Sequence, residues 1–414
     1  MTPSAREVST CDVAVVGGGA AGLMAAIQAA RRGRRTVLLE KNQRCGLKIL
    51  ISGGGRCNLT TTRSGQDLEL QYGKRRGRWL RHALRSFPPT ALRAFVEAAG
   101  VPLREEDLEK LFPVSQRARD VVDALLRLLA ESGAKLVGEA PLEQLSHDGE
   151  RFVLATPKGE WRAESVVLAT GGLSYPKTGA TGDGYAWCRQ FGHSITATFP
   201  ALAPLLVEER WVRGLQGIVL HDVDIGCLDA RGKQTLVRRR PILFTHTGLS
   251  GPAPMDLAGD VEEQHGEAKL RFDFLPDTTQ EELEQQWLAA AKQHGTRRVA
   301  SVLPQHLPER CRDALLQLCD ADAETLATWS KQTRRRLLTA VKDLRLPCAR
   351  SRGYAHAEVT RGGVALDEVD ARTMQSKLRD GLFLCGELLD VDGPIGGFNF
   401  QAAFATGRLA GLHA

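Results

Sequence analysis

Three glycines near the start of the chain have a spacing that suits dinucleotide binding. Gly17, Gly19 and Gly22 follow the G-x-G-x-x-G pattern between the apolar run of residues 12–16 and the alanine-rich residues 23–32. The run predicts a buried strand and the alanine-rich segment predicts a helix. In such a turn the first glycine allows the sharp bend, the second lets a pyrophosphate approach the backbone, and the third packs helix against strand. The N–H groups and dipole at the helix start favour the anion.

An acidic residue ends the next predicted strand and completes the pattern. Residues 36–40 form a second apolar run that Glu40 closes, which is typical of a βαβ unit. A carboxylate at this place accepts hydrogen bonds from the hydroxyls of an adenosine ribose. It also excludes a 2′-phosphate, so the predicted cofactor is FAD or NAD rather than NADP.

Three further glycine-containing segments favour FAD over NAD. Residues 46–58 combine glycines with polar and basic residues, residues 169–172 close a predicted strand, and residues 386–399 enter the last predicted helix. Glycines permit close approach of the backbone, and a helix N-terminus near the N1/C2 carbonyl edge of a flavin stabilises its anionic reduced form. A long cofactor in contact with four separated segments fits FAD better than NAD.

Two side chains are candidates for proton transfer. His246 lies within residues 245–252, and histidine titrates near working pH. The alternative is that His246 anchors an inserted domain. Tyr175 follows the turn at residues 171–172 and is the second candidate, with an aromatic wall over the cofactor as its alternative. Cys57 is a candidate reactive thiol, for which packing or a cofactor contact is the alternative.

Five polar residues have roles that the pattern leaves open. Lys48 and Arg56 are expected to serve FAD phosphate or ring oxygens rather than substrate. Asn399 is expected at the pyrimidine edge of the flavin, with helix capping as the alternative. One of Glu387 and Asp392 is expected to bind ribityl hydroxyls, while the other caps a turn.

The composition is that of an ordinary globular protein. The 414 residues are 43% hydrophobic and 25% charged, which excludes a disordered chain, a collagen and a coiled coil. The length predicts two or three domains. No run of about 18 apolar residues is present, so no membrane-spanning helix is predicted. Residues 1–10 lack the apolar segment of a secretion signal.

Charge and cysteine usage predict a cytoplasmic protein without a nucleic-acid partner. The formal net charge is only +6, and the basic clusters at residues 74–76, 238–240 and 334–336 are expected to be solvated faces. A nucleic-acid site would need interleaved aromatic residues or a known motif, and neither is found. The nine cysteines are an odd number without a C-x-x-C pair, which fits reduced thiols and predicts no metal site.

The remaining chain shows two changes of pattern. Residues 80–136 have mostly helical spacing of apolar residues, whereas residues 200–274 contain short alternating runs that predict a β-rich insert. Residues 279–344 return to a helical pattern. Residues 398–412 predict a final helix.

Several of these stretches carry a family resemblance. The first βαβ unit, the turn at residues 169–172 and the segment from Gly386 look like the two-part FAD domain of the glutathione-reductase/fumarate-reductase superfamily. The closer resemblance is to the bacterial BaiN/RdsA-like (aminoacetone-oxidase-like) family of FAD-dependent oxidoreductases. It is carried by residues 48–58, residues 244–252, residues 359–364 with 373–377, and residues 386–399. It runs from about residue 11 to residue 412.

The resemblance implies an α/β fold in which both chain ends build one Rossmann-like FAD-binding domain. A β-rich, barrel-like insert and a small helical domain interrupt it. The predicted boundaries are residues 1–197 for the first part of the FAD domain, 198–276 for the β-rich insert, 277–346 for the helical insert, 347–358 for the return through the β-rich insert, and 359–414 for the second part of the FAD domain.

Residues and resemblance together give a predicted cofactor site. Leu142 enters it only through the superfamily, whose members often pair backbone with adenine at this place. The predicted cofactor-binding residues are Gly17, Gly19, Ala21, Gly22, Glu40, Lys41, Lys48, Ser52, Gly53, Gly54, Arg56, Cys57, Asn58, Leu142, Thr170, Gly171, Gly172, Asp183, Gly386, Glu387, Asp392, Gly396, Gly397, Phe398 and Asn399.

The resemblance also implies the kind of reaction. Members of the family have been assigned the reduction of steroid-like enones or the oxidation of amines. We expect hydride transfer between flavin N5 and a small or mid-sized organic substrate, with NAD(P)H as a transient co-substrate because no second G-x-G-x-x-G follows a strand. The alternative is an oxygen-dependent amine (aminoketone) oxidase, and a more remote one is an FAD-dependent RNA-modifying protein.

Overall fold

A computed structural model describes residues 8–414, which form two compact units. Unit 1 consists of the described residues up to Phe199 together with Glu358–Ala414, and unit 2 is Pro200–Ala357. Each unit has its own cluster of buried apolar side chains. The predicted first part of the FAD domain begins at residue 1, so its residues 1–7 lie outside the described part of the chain.

The strands and helices are numbered in chain order. The strands are β1 (Val8–Val16), β2 (Thr36–Leu39), β3 (Thr60–Thr61), β4 (Leu103–Glu106), β5 (Lys110–Pro113), β6 (Lys135–Val137), β7 (Gln144–His147), β8 (Phe152–Thr156), β9 (Gly159–Leu168), β10 (Phe199–Ala201), β11 (Leu205–Leu206), β12 (Val219–Leu220), β13 (Asp224–Leu228), β14 (Gln234–Arg239), β15 (Ile242–Thr245), β16 (Gly248–Ser250), β17 (Lys269–Asp273), β18 (Leu344–Pro347), β19 (Arg350–Ser351), β20 (Val359–Arg361) and β21 (Leu382–Leu384). The helices are α1 (Ala20–Arg31), α2 (Leu47–Gly55), α3 (Gly65–Gln71), α4 (Lys74–Ser86), α5 (Pro89–Ala98), α6 (Ala118–Glu131), α7 (Asp183–Gln190), α8 (Arg210–Gly214), α9 (Pro252–Glu263), α10 (Gln280–Gln293), α11 (Glu309–Leu318), α12 (Lys331–Lys342) and α13 (Phe398–His413).

The main sheet of unit 1 is built around β1, which pairs in parallel with β2 on one side and β9 on the other. Strand β6 continues the sheet beyond β2, and β21 pairs in parallel with β9. The register places Val16 opposite both Leu39 and Leu168, and Leu384 opposite Leu168. These strands therefore end at one edge of the sheet. The direction of strand succession reverses at β1, and open sheets bind ligands outside the carboxyl ends at such a switch point.

The sequence of β1 explains its central place. Val13, Ala14 and Val15 have no exposed surface, as expected for a parallel strand covered on both faces. Helix α1 follows directly and is rich in buried alanine, leucine and methionine. The predicted βαβ unit is thus formed by β1, α1 and β2.

Small residues bring the last helix against the first. A Cβ placed on Gly407 would lie 2.3 Å from the carbonyl oxygen of Ala21, and one on Gly411 would lie 2.2 Å from that of Ala25. Because real side chains do not fit at these distances, α13 approaches α1 backbone to backbone. The described residues before and after unit 2 thus belong to the same Rossmann-like domain, and the predicted α/β fold class is confirmed.

Unit 2 contains antiparallel sheets and helices. Strands β12, β15, β16, β11 and β19 form one sheet, and β14, β13, β17 and β18 form the other, in these orders. Helix α12 is tied to the end of β17 by the buried Lys342, whose Nζ lies 2.8 Å from Asp273 Oδ1. Unit 2 covers residues 200–357, and the predicted inserts together cover residues 198–358. Its predicted division into a β-rich and a helical part stays a prediction.

The buried His193 contacts residues 373–377, one of the stretches that carry the family resemblance. His193 Nε2 lies 2.7 Å from Ser376 Oγ, and His193 Nδ1 lies 3.1 Å from Glu368 Oε2. Ser376 Oγ already accepts the backbone N–H groups of Leu378 and Arg379, each at 3.0 Å. Its own proton therefore goes to Nε2, which assigns the histidine proton to Nδ1. This hydrogen-bond pattern requires a neutral imidazole.

The close contact between α1 and α13 gives a stability prediction. Replacing Gly407 by alanine raises intrinsic helix propensity, yet the added Cβ collides with Ala21. We expect the overpacking to prevail and to lower the free energy of unfolding by about 1–3 kcal/mol. Urea denaturation measures it. Gly214→Ala is the matched control, because a Cβ there has no atom within 4 Å beyond its chain neighbours and its own helix. Equal stability of both variants and the parent would contradict the close approach.

His193 gives a prediction about pH. Burial lowers the pKa of His193, and Glu368 opposes this effect only in part. At a pH between the pKa of His193 in the folded protein and its pKa of about 6.5 in the unfolded chain, mainly the unfolded chain takes up the proton. The stabilisation by neutral His193 is therefore present above about pH 6.5 and is lost as the pH falls towards the folded pKa.

Unfolding free energies measured at about pH 7.5 and about pH 5.5 check this sign. We expect the parent protein to lose more stability than His193→Gln over this interval, by at most about 1.4 kcal/mol per pH unit. His221→Gln changes an exposed histidine and serves as the control. An identical pH dependence of all three proteins would show that His193 does not act in this way.

Candidate functional site

The turn after β1 is shaped by contacts within unit 1. Gly17 has a φ of 105°, and a Cβ there would lie 2.6 Å from Ala169 O. A Cβ on Gly22 would lie 1.8 Å from Gly17 O. Ala169 N donates to Val16 O at 2.9 Å, which holds the turn against the end of β9. Packing of the protein alone therefore requires both glycines.

Gly19 differs from the other two glycines of the motif. It precedes the first residue of α1 with φ −82° and ψ −171°, a conformation open to any residue. Apart from its two chain neighbours, no residue of the described chain has an atom within 4 Å of a Cβ built there. The first N–H groups of a helix have no partner within the helix. The start of α1 thus offers an open place where an anionic ligand can approach the backbone.

The Glu40 carboxylate lies beside this opening. Its Oε2 accepts the N–H of Gly18 at 2.6 Å, and its Oε1 accepts the backbone and side-chain N–H groups of Asn42 at 2.8 and 2.7 Å. Glu40 is 7% exposed. Ala140 N donates to Glu40 O at 2.9 Å, so the partly buried Leu142 follows close behind the same strand end.

Lys41 and Asp183 are brought together as an ion pair. Lys41 Nζ lies 2.8 Å from Asp183 Oδ2 and 2.7 Å from Thr181 Oγ1. Thr181 donates to Asp183 Oδ1 at 2.9 Å. Burial raises the pKa of Asp183, but the hydrogen bonds from Lys41 and Thr181 outweigh it and hold that pKa below its ordinary value. The pair links the end of β2 to the start of α7.

The turn after β9 contains an unpaired hydroxyl. Thr170 Oγ1 is buried and has no hydrogen-bond partner among residues 8–414. Gly171 has a φ of 72°, and a Cβ on Gly172 would lie 2.4 Å from Thr360 Oγ1. A buried hydroxyl without a partner is costly. A polar ligand at this edge of the sheet would remove that cost, which fits a cofactor rich in hydroxyl and phosphate groups.

Lys48 and Glu387 meet two residues that the sequence did not single out. Lys48 Nζ donates to Ser174 Oγ and to Glu387 Oε2, both at 2.7 Å. Ser174 Oγ donates to Glu387 Oε1 at 2.7 Å, and Thr360 N donates to the same oxygen at 3.0 Å. Four separated chain segments meet in this network.

The glycine-rich segment after Lys48 interrupts α2. Ser52 is extended, and Gly53 and Gly54 have φ values of 55° and 70°. Cys57 N donates to Ser52 O at 3.0 Å, and Cys57 itself has a φ of 63°. Burial raises the pKa of the Cys57 thiol to about 12, although its contact with Ser52 acts in the opposite sense. This environment opposes a reactive thiolate, and a cofactor contact by Cys57 stays a prediction.

Arg56 is held by neighbours from β4 and the segment after β5. Its Nη1 donates to Glu106 Oε2 at 3.0 Å and to Gln116 Oε1 at 2.8 Å. The guanidinium carbon lies 4.3 Å from the centre of the Phe112 ring. These contacts are a cation–π interaction and an ion pair within unit 1. The predicted contact of Arg56 with FAD stays a prediction.

Two asparagines fasten the segment that enters α13. The Asn58 amide donates to Thr60 O at 3.2 Å and accepts from Gly397 N at 3.0 Å. A Cβ on Gly397 would lie 2.5 Å from Thr60 O, so only glycine fits. The Asn399 side chain forms two hydrogen bonds with the Gly393 backbone. It donates to Gly393 O and accepts from Gly393 N, both at 2.9 Å. The predicted roles of Asn58 and Asn399 in cofactor binding stay predictions.

Asp392 lies in a buried cluster of charges. Its Oδ1 is 2.9 Å from Arg76 Nη1, and its Oδ2 is 3.2 Å from Arg361 Nε. Arg76 also binds Asp390, whose Oδ1 is 2.7 Å from Nη2. These pairs tie α4 and β20 to the segment before α13. The carboxylate is thus engaged by two arginines, and its predicted contact with ribityl hydroxyls stays a prediction.

The remaining predicted residues near α13 are closely packed. Tyr72 Oη donates to Phe398 O at 2.7 Å, and the two rings meet edge to face. A Cβ on Gly396 would lie 2.6 Å from the Phe398 ring, and one on Gly386 would lie 2.8 Å from Ala21 Cβ. Gly386 and Ala21 thus place the segment after β21 directly against the start of α1.

The two candidate proton donors lie in different units. Tyr175 follows Ser174 in unit 1 and has a φ of 49°, unusual for a residue with a side chain. Burial, and then the charge of Glu358, raise the pKa of the Tyr175 hydroxyl. His246 is exposed in unit 2, between β15 and β16. Their catalytic roles stay predictions.

Sequence reasoning missed four residues that hold the site together. Asn42 binds the Glu40 carboxylate, and Ser174, Thr360 and Arg361 bind Glu387 or Asp392. Thr360 and Arg361 lie within residues 359–364, which carry the family resemblance, and this resemblance could have indicated that they belong to the site. Ser174 carries no motif of its own, and only its position after the turn pointed to it.

Residues 8–414 contain neither a candidate metal centre nor a candidate membrane-spanning helix. In that part of the chain no group of three or more histidine, cysteine, aspartate or glutamate side chains is arranged to hold a metal ion. Within the same residues, no helix has both the length and the apolar character needed to span a membrane.

A family comparison decides the relationship that the motifs suggested. The family described as "HI0933-like protein Rossmann domain" matches residues 11–413. The chain belongs to the HI0933-like family. This is the BaiN/RdsA-like group of FAD-binding flavoproteins, so the resemblance seen in the motifs is confirmed.

Two curated relatives in this family have different names. The ribosomal RNA dihydrouridine synthase of Escherichia coli (strain K12) is 31% identical over 395 residues, covering 95% of this chain and 96% of that protein. The 3-dehydro-bile acid delta(4,6)-reductase of Clostridium scindens is 30% identical over 406 residues, covering 96% of this chain and 98% of that protein.

Solved flavoproteins share the fold. The 3-ketosteroid delta1-dehydrogenase of Sterolibacterium denitrificans has a TM-score of 0.51 and 15% identity, covering 98% of this chain and 99% of that chain. The 3-ketosteroid-delta4-(5alpha)-dehydrogenase of Rhodococcus jostii RHA1 has a TM-score of 0.50 and 15% identity, covering 100% and 98%. At this identity the likeness concerns the fold alone.

The contrast between Gly19 and Gly22 gives a test of the site. Gly19→Ala adds a methyl group in open space, so we expect the apoprotein to keep its unfolding free energy within about 0.5 kcal/mol and to bind FAD more weakly. Gly22→Ala collides with Gly17 O and is expected to destabilise the apoprotein itself. Denaturation without FAD and titration with FAD measure the two effects. Unchanged FAD affinity of Gly19→Ala would argue against a cofactor at the start of α1.

Proposed function

We propose that this chain is an FAD-dependent oxidoreductase that reduces a carbon–carbon double bond conjugated with a carbonyl group, with NAD(P)H as the electron donor. The observation that carries the proposal is the open start of α1 at Gly19, next to Glu40, at the switch point of the sheet. FAD, when bound, supplies the hydride transfer. The protein supplies binding, orientation and a proton.

The residues at the sheet edge fit the polar parts of FAD. The pyrophosphate suits the N–H groups at the start of α1. Three donor atoms already bind the Glu40 carboxylate, which has about four acceptor sites, so about one remains for a ribose hydroxyl. The buried hydroxyl of Thr170 is a further polar group without a partner among the described residues.

The substrate class is proposed from the names of the two relatives. One name describes making dihydrouridine from uridine, and the other describes reducing delta(4,6) bonds of a 3-dehydro-bile acid. In both cases a double bond conjugated with a carbonyl group takes up a hydride and a proton. We carry this shared chemistry, and neither substrate by itself, over to the present chain.

Such a reduction needs a proton donor, and Tyr175 is the candidate in unit 1. Its hydroxyl carries a proton at neutral pH, as any tyrosine does, while burial and Glu358 raise its pKa and make it a weaker acid. Its positive φ is a strained conformation of the kind that clusters at functional sites. Its neighbour Ser174 belongs to the network around Glu387, which fixes the backbone at this place. His246 is the second candidate.

A uridine in ribosomal RNA is the second candidate substrate, and a basic helix favours it. Lys74, Arg75 and Arg78 are exposed on α4. Arg75 is 67% exposed although its Nη1 lies 3.9 Å from Asp390 Oδ2. In unit 2 the three arginines of residues 238–240, together with Arg334 and Arg336, also form ion pairs. A basic stripe of this kind attracts the phosphate backbone of a nucleic acid. The sequence prediction of no nucleic-acid partner is therefore put to the same test as the substrate.

Anaerobic flavin reduction tests the proposal. The protein loaded with FAD is mixed without oxygen with NADH or with NADPH, and the flavin absorbance is followed. Bleaching by one nucleotide is expected and identifies the donor. The reduced protein is then mixed with 4-androstene-3,17-dione or with a ribosomal RNA fragment that lacks dihydrouridine. Return of the oxidised spectrum, with one saturated product per flavin, identifies the substrate class.

Each other result has a definite meaning. A protein that takes up no FAD from an excess of the cofactor contradicts the proposal. Flavin that neither nucleotide bleaches, in a protein that forms hydrogen peroxide from an aminoketone in air, supports the amine oxidase instead. Reoxidation by RNA that weakens steeply with added salt supports the second substrate.

A further inference from the structure

Lys48 and Glu387 form an ion pair between the two parts of the discontinuous domain. Lys48 lies in α2 and Glu387 follows β21, yet Lys48 Nζ is 2.7 Å from Glu387 Oε2. Their side chains are only 24% and 16% exposed. Partly buried charges of this kind depend strongly on their partners, because removing one leaves the other without compensation.

Two buried residues complete the network. Ser174 and Thr360 have no exposed surface. Ser174 Oγ lies between the charges, accepting from Lys48 Nζ and donating to Glu387 Oε1. Thr360 N also donates to Glu387 Oε1 at 3.0 Å, and Thr360 Oγ1 accepts the N–H of Leu173 at 2.8 Å. The Glu387 carboxylate is thus bound by three donors of the protein itself.

We propose that Lys48, Ser174, Thr360 and Glu387 form a clamp that holds the two parts of the FAD domain in the arrangement that binds the cofactor. The clamp residues are positioning residues, and Lys48 and Glu387 act as a pair rather than as separate ligands of FAD. This inference rests on the proposed function for the identity of the cofactor. The clamp itself is a property of the protein without cofactor.

The clamp is in direct contact with the predicted cofactor turn. A Cβ on Gly172 would lie 2.4 Å from Thr360 Oγ1 and 3.0 Å from Glu387 Oε1. Gly172 belongs to the turn that begins with Thr170, and Leu173 N donates to Thr360 Oγ1, so the backbone of the turn is held by the clamp. A site that is competent only part of the time binds its ligand more weakly in proportion to the competent fraction. Loss of the clamp therefore weakens FAD binding without removing a contact to FAD.

A double-mutant cycle tests the pairing. We expect Lys48→Met and Glu387→Gln each to weaken FAD binding about tenfold, since each removes a charge-assisted hydrogen bond from the clamp. The double variant is expected to lose no more affinity than the weaker-binding single variant, because the second change removes a partner that is already lost. FAD affinity is measured by quenching of flavin fluorescence.

Two controls separate the clamp from general destabilisation. Lys342→Met makes the same chemical change in the buried ion pair with Asp273 of unit 2 and is expected to leave FAD affinity unchanged. Ser174→Ala is expected to weaken FAD binding, and Ser174→Thr, which keeps the hydroxyl, to restore part of it. Losses of Lys48→Met and Glu387→Gln that multiply to about 100-fold in the double variant would overturn the proposal and identify two independent ligands.

Hydrogen exchange of the protein without FAD gives an independent readout. In Lys48→Met the N–H groups of Thr360 and Leu173 are expected to exchange faster than in the parent protein, while those of the α12 region stay unchanged. Unchanged exchange at Thr360 and Leu173 would contradict the clamp. If the parent protein does not bind FAD, the proposed function is contradicted. Hydrogen exchange without FAD still decides whether the clamp exists.

Discussion

The structure of unit 1 depends on one constraint, the parallel pairing of β1 with strands on both of its sides. Because β2 and β9 end level with β1, the residues that follow each strand gather at a single edge of the sheet. Glu40 and Thr170 reach this edge from opposite sides of Gly17. The side chains there depend on that register, since a strand shifted by one residue would carry the residue after its end about 3.3 Å along the sheet.

A second constraint carries the C-terminal part of the chain to the same edge. Gly407 and Gly411 let α13 approach α1 more closely than any side chain permits, and Gly386 meets Ala21 at the start of α1. This contact sets where β21 and the segment after it lie. Packing between these small residues brings the segment of Glu387 to Lys48, and the ion pair then holds the two segments together.

The sequence was sufficient for whatever depends on neighbouring residues. The turn at Gly17, the acid at Glu40 and the change of pattern near residue 200 are local signals, and the fold class came from the family resemblance with which they agree. The partners of Lys48 and Glu387 could not be predicted, because Ser174 lies 126 residues from Lys48 and 213 from Glu387 along the chain. The partners of Arg56 could not be predicted either. Its N–H groups donate to Glu106 and Gln116, which lie on or after the antiparallel strands β4 and β5, and no sequence motif indicates this pair of strands.

The glycines show how a structure without its ligand still carries information about the ligand. Gly17 and Gly22 are explained by contacts with the protein's own backbone, and Gly397 by its contact with Thr60. Gly19 has neither a close neighbour nor a positive φ, so the folded chain by itself gives no reason for glycine there. Gly214 has equally open surroundings, so open space alone does not point to a ligand. What distinguishes Gly19 is its place at the start of a helix and at the switch point of the sheet, where the proposed cofactor would approach the backbone.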